Sequence, residues 1–100
     1  MNFKVTIYFG ANKNGKLHVL PGDWNQFIDN VVASRFSGFT VTNGIGYWEG
    51  ASEIVRILTI LGDDGIVWRE NVRYVAAVYR DQFGQDCVLI EWSDVRGELV

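Results

Sequence analysis

Ile54-Val55-Arg56-Ile57-Leu58-Thr59-Ile60-Leu61 is the stretch that decides the fold. In an extended chain Ile54, Leu58 and Ile60 share one side, and Val55, Ile57 and Leu61 share the other. A strand that is apolar on both sides belongs in the middle of a sheet, covered at least partly on each face. The nearest partner upstream is Phe39 to Trp48, which is rich in aromatic and β-branched residues. Glu49-Gly50-Ala51 reads as the hairpin turn between the two strands. Gly44 and Gly46 interrupt the upstream strand, which suggests a bulge or a close backbone approach.

The start of the chain alternates strictly. Phe3, Val5, Ile7 and Phe9 fall on one side, and Lys4, Thr6 and Tyr8 on the other, as in a half-buried strand. Asn14-Gly15 then marks a type I′ turn, with a short extended piece over Leu17 to Leu20. Cys87 to Trp92 reads as the last strand; Cys87, Leu89 and Glu91 face outward if Val88, Ile90 and Trp92 go to the core, a register that periodicity does not fix without the pairing.

Two helices separate these strands. Asp23 and Gln26 form a capping-box-like pair, and Trp24, Phe27, Ile28, Val31, Val32 and Phe36 recur at helical spacing before Ser37-Gly38. Arg35 sits in the last turn, where a cation suits the helix dipole. The second helix follows Gly62-Asp63-Asp64-Gly65, either aspartate being a possible cap, and buries Trp68, Val72, Val75, Ala76, Tyr79 and Phe83. Val67, Tyr74 and Val78 lie roughly opposite that stripe.

The resulting order predicts a ferredoxin-like α+β sandwich, βαββαβ, with four antiparallel strands and both helices on one face. The chain of 100 residues reads as one domain, with a core over about residues 2–93 and a polar tail over residues 94–100.

Composition narrows the function. Nine Lys and Arg against twelve Asp and Glu give a net charge of −3, which weighs against nucleic-acid binding. The RNA-binding modules that share this strand order stack bases on sheet aromatics, and Glu53-Ile54-Val55-Arg56-Ile57-Leu58 lacks such a signature. No apolar run approaches the roughly 20 residues that span a bilayer, and no secretory leader is visible, so the expected setting is cytoplasmic, with no membrane partner. With one cysteine, Cys87, and one histidine, His18, a Cys/His zinc site within the chain is excluded. Cys87 reads as a packing residue and His18 as an exposed loop residue. No phosphate-binding glycine loop, nucleophile elbow or zinc-protease motif is present, and no cofactor is implied.

In this fold the sheet face away from the helices is open and carries large apolar groups. A monomer rarely leaves such a patch bare, so a homodimer or higher homo-oligomer is expected. The polar set on or beside the strands is Tyr8, Glu53, Arg56 and Glu91. Arg56 among apolar neighbours needs a carboxylate or a bound anion. One reading is a structural ion pair. The other is a small anionic ligand clamped by Arg56, with Tyr8 as hydrogen-bond donor.

Several segments together resemble a bacterial family of small secreted or cytosolic domains of unknown function. They are Tyr8-Phe9-Gly10, Trp24-x-x-Phe27, Arg35-Phe36, Gly38-x-Thr40-Val41, Gly44-x-Gly46-x-Trp48, Glu53-x-x-Arg56-Ile57-Leu58 and Tyr79-x-x-x-Phe83-Gly84-Gln85. The resemblance supports the fold and adds weight to Glu53 and Arg56, but it implies no reaction. Two functions follow as expectations. The first is a homo-oligomeric binding module using the open sheet, favoured over catalysis by the scarcity of histidine and cysteine. The alternative is a dimeric α+β-barrel-type enzyme or ligand-binding protein with a site near Tyr8, Glu53, Arg56 and Glu91.

Overall fold

The computed structural model describes residues 1–100. The chain forms β1 (Phe3–Gly10), β2 (Asn12–Lys13), β3 (Lys16–Leu17), α1 (Pro21–Phe27), a π-helical turn (Ile28–Val32), α2 (Ala33–Arg35), β4 (Thr40–Trp48), β5 (Ala51–Gly62), α3 (Ile66–Gln82) and β6 (Leu89–Asp94). It is an α+β fold built on a four-stranded antiparallel sheet of order β4-β5-β1-β6. The doubly apolar strand β5 and the alternating strand β1 occupy the two central positions. A separate two-stranded ribbon, β2-β3, closes through Asn14 and Gly15, both at positive φ as a type I′ turn requires.

The pairing fixes the faces. Phe9 lies opposite Arg56, Ile7 opposite Leu58 and Val5 opposite Ile60. All three β1 residues are fully buried, and they share one cluster with Trp24, Phe27, Val32 and Phe36 from the first helical run and Val72, Val75, Tyr79 and Phe83 from α3 and its end. Both helical layers therefore pack on the same sheet face. Burial of this stripe, at roughly 25 cal/mol per Å² of apolar surface, is the main force holding the helices to the sheet.

The first helical run departs from a simple α-helix for a legible reason. Phe27 and Val32 are both buried although five residues apart, a spacing that would swing one of them off an α-helical face. The π turn absorbs the extra residue, with the Ala33 N–H bonding to the Ile28 carbonyl. The cap also differs from expectation. Leu20 is the N-cap, Pro21 opens the helix, and the Asp23 carboxylate reaches back to accept from the Leu20 N–H at 3.0 Å. Likewise neither Asp63 nor Asp64 caps α3, whose N-cap is Gly65. Asp64 instead takes two hydrogen bonds from Arg69, at 2.6 and 2.9 Å, and these lower its pKa.

Strand β4 carries no bulge: its register against β5 runs unbroken from Thr40↔Thr59 to Trp48↔Ala51. The glycines serve the close approach instead. A Cβ at Gly46 would lie 2.7 Å from Val55 Cγ2, and one at Gly44 would lie 3.2 Å from Ile57 Cδ1. A third glycine is tighter still. A Cβ at Gly62 would lie 2.5 Å from Trp68 Nε1. Trp68 cannot swing away freely, because it packs edge-on against Phe3 and Trp92 at 5.8 and 6.0 Å. Gly62→Ala is therefore expected to lower the unfolding free energy by about 1–3 kcal/mol in urea titration.

The segment after β6 is not a free tail. Val95 and Gly97 donate backbone hydrogen bonds to Asn2 and Met1. Cys87 is exposed and precedes β6, so it does not pack as expected. Tyr74 has a partner as well: the Arg35 guanidinium lies 3.9 Å from its ring centroid. No helix is long and apolar enough to cross a membrane.

Candidate functional site

The register separates the four polar residues that the sequence placed together. Lys4, Thr6 and Tyr8 point away from the helices, as do Val55, Ile57, Thr59 and Leu61 on β5 and Leu89, Glu91 and Ser93 on β6. Tyr8 sits between Ile57 on one neighbouring strand and Leu89 on the other. Its hydroxyl donates to Glu91 Oε1 at 3.1 Å. This hydrogen bond, assisted by partial burial and by the Glu91 charge, raises the Tyr8 pKa.

Glu53 shares that face but not that place. It lies four residues along β5 from Ile57, roughly 13 Å at strand rise, and its Oε2 accepts from the Asn12 N–H at 3.1 Å. A Cβ at Gly10 would lie 2.9 Å from Glu53 Oε1, so glycine leaves room for the carboxylate over the end of β1. Glu53 ties the β2-β3 ribbon to the sheet.

Arg56 is on the opposite face, and this corrects the expectation that it clamps a ligand beside Tyr8. It stands across from Phe9 on β1 and Asn43 on β4, is only 5% exposed, and donates from Nη2 to the Val19 carbonyl at 3.1 Å. The reason is parity: Phe9, Leu58 and Ile60 turn inward, and Arg56 has the same parity on β5 as the last two. No carboxylate forms a salt bridge with it, and its Nε is buried without a partner. A buried unpaired charge destabilises a fold, and apolar replacements of comparable volume often relieve it. Arg56→Met is expected to raise the unfolding free energy by about 1–3 kcal/mol, read from the urea midpoint at constant m-value.

What the structure does assemble is a phenol–carboxylate pair whose phenol is flanked by Ile57 and Leu89. Glu91 spends one oxygen on Tyr8 and has a second oxygen to offer. The Tyr8 ring, flanked by aliphatic side chains, supplies a π face of the kind that attracts cations. The flanking residues Ile57 and Leu89 were not singled out from the sequence, although the two-residue period already grouped Leu89 with Glu91. Only the pairing of β1 with both neighbours places them around Tyr8. No group of three or more His, Cys, Asp or Glu side chains converges as metal ligands would.

Among solved structures the fold has clear likenesses. A phage SAM lyase in its apo state superposes with a TM-score of 0.66 at 19% identity, covering 92% of this chain and 79% of the lyase. A phage SAM lyase in complex with S-methyl-5'-thioadenosine superposes with a TM-score of 0.65, again at 19% identity, covering 93% of this chain and 81% of the other. At that identity the likeness is one of fold. None of the curated proteins matches the sequence. The motifs running from Tyr8-Phe9-Gly10 to Tyr79-x-x-x-Phe83-Gly84-Gln85 have a family to belong to: the match spans residues 4–98, and the chain is a member of the family of proteins of unknown function DUF3574.

Proposed function

We propose that this protein is a homo-oligomeric, ferredoxin-like small-molecule enzyme or ligand-binding protein whose site lies on the open sheet face around Tyr8 and Glu91. The carrying observation is the hydrogen-bonded Tyr8–Glu91 pair with Ile57 and Leu89 on either side of Tyr8. With Arg56 on the other side of the sheet, the polar pair is acidic. Its complement is a cation attached to an apolar or aromatic body, in place of the anion expected from the sequence. S-adenosylmethionine is such a molecule, a sulfonium cation joined to a nucleoside. The similar fold of a phage SAM lyase, seen with S-methyl-5'-thioadenosine, supports this ligand class.

The experiment is calorimetric titration of S-adenosylmethionine and of the uncharged S-methyl-5'-thioadenosine. Glu91→Gln is expected to weaken the sulfonium compound about tenfold, and the neutral thioether less. Tyr8→Phe is expected to weaken both, because it frees the carboxylate from its position. Absence of heat with both compounds, or equal losses for both in Glu91→Gln, would sink the assignment.

A second reading, self-association alone, is favoured by the exposure of Trp48 (78%) and Leu89 (62%) on the same face. Light scattering over a wide concentration range distinguishes the readings in combination with calorimetry. A stable oligomer that binds neither compound supports the second. A persistent monomer removes the oligomer from both.

A further inference from the structure

The least balanced group in the molecule is Arg56. It lies on the helix side of the sheet, 5% exposed, with one hydrogen bond to the Val19 carbonyl and a buried, unpartnered Nε. A guanidinium offers five donors, and a buried one is ordinarily paired. The neighbouring residues do not supply a counter-charge. Across the strands stand Phe9 and Asn43, and along β5 stand Ile54 and Leu58. The carboxylate of Glu53 belongs to the other face and is engaged by the Asn12 N–H. No carboxylate of the chain forms an ion pair with Arg56.

The approach to Arg56 is also built. The helix-side residues of β4, Val41, Asn43, Ile45 and Tyr47, are all exposed. Asn43 is exposed beside Arg56, followed by Ile54 (39%), Ile45 (66%) and Tyr47 (76%) on the same face. This is an apolar strip that ends at a single buried positive charge.

We propose that Arg56 anchors a monoanionic carboxylate whose apolar body lies along Ile45, Ile54 and Tyr47, at a site separate from Tyr8 and Glu91. The charge arithmetic selects a carboxylate over a phosphate. One buried cation balances one negative charge, and a dianion would leave one in surplus in a chain of net charge −3. The planar fork of a guanidinium also matches a carboxylate in two parallel hydrogen bonds, and the strip gives an aliphatic tail something to cover.

The test is an NMR titration of the Arg56 Nε–H resonance, assigned by its absence in Arg56→Lys. Sodium butyrate is added against sodium chloride at equal ionic strength. The expected result is a saturable shift with butyrate, a weaker one with acetate, and none with chloride. In Arg56→Lys, butyrate is expected to bind about tenfold more weakly by competition calorimetry, since the bidentate fork is lost. An Nε–H resonance that stays put with butyrate, or moves equally with chloride, overturns the site. A stronger response to inorganic phosphate than to butyrate overturns the carboxylate assignment. Arg56→Met provides a further variant for the competition calorimetry, and unchanged butyrate affinity in it would also overturn the proposal.

Discussion

Phe9→Ala is expected to remove about 3–5 kcal/mol of folding free energy. Domains of this size are commonly stable by only about 5–15 kcal/mol. Phe9 is fully buried at the centre of the aromatic cluster, with ring centroids 4.6 Å from Tyr79, 5.3 Å from Trp24 and 5.7 Å from Phe27. Those three rings come from two different helical segments, so one truncation opens a cavity that both helical layers line. The surrounding rings are themselves in mutual contact and can collapse into the gap only partly. Urea unfolding of the variant should show a much lower midpoint. A loss under about 1 kcal/mol would mean that the cluster repacks freely.

The second large effect concerns alkaline stability. The Tyr79 hydroxyl donates to the Gly10 carbonyl at 2.7 Å, and the side chain is fully buried. Burial pushes its pKa far above the ordinary value of 10.0, partly countered by the positive charge of Arg56 and reinforced by the negative charge of Glu53. The folded protein therefore keeps this proton at a pH where the unfolded chain gives it up. Between the two pKa values the unfolded state binds fewer protons, so stability falls as pH rises, by about 1.4 kcal/mol per pH unit. Tyr79→Phe lacks this dependence but forfeits a buried hydrogen bond worth about 1 kcal/mol. Below pH 10 the wild type should be the more stable; the two curves of urea midpoint against pH should cross about one unit above pH 10. Parallel curves would show that Tyr79 ionises as easily folded as unfolded.

Much of the architecture was legible because periodicity reports burial directly. The alternation from Phe3 to Phe9 identified the inward face of β1, and the doubly apolar run at Ile54 to Leu61 identified a central strand. The helical stripes named the side chains that meet the sheet. What periodicity does not report is pairing. Ile54, Arg56, Leu58 and Ile60 form one parity set whether that set faces helices or solvent, and only the partners Phe9, Ile7 and Val5 choose between these. That choice moved Arg56 off the candidate site and left Tyr8 with Glu91. Local departures were hidden for other reasons. The spacing from Phe27 to Val32 was compatible with a regular helix until burial demanded a wider turn. Asp64 has the chemistry of a cap but found Arg69 instead.

The central position of β1 has a consequence in time. Its first residue, Phe3, pairs with Gly62 on one side and with Asp94 on the other. The β4-β5 hairpin closes over a two-residue turn and can form within microseconds, whereas β1 must wait for partners from the middle and the end of the chain. During synthesis the strand that emerges first is therefore completed last, with its apolar face unsatisfied in the interval. Once both neighbours are in place the order reverses. The amides of β1 can exchange with solvent only when one of the flanking strands departs, so they should be among the slowest in the molecule, protected to the level of global unfolding.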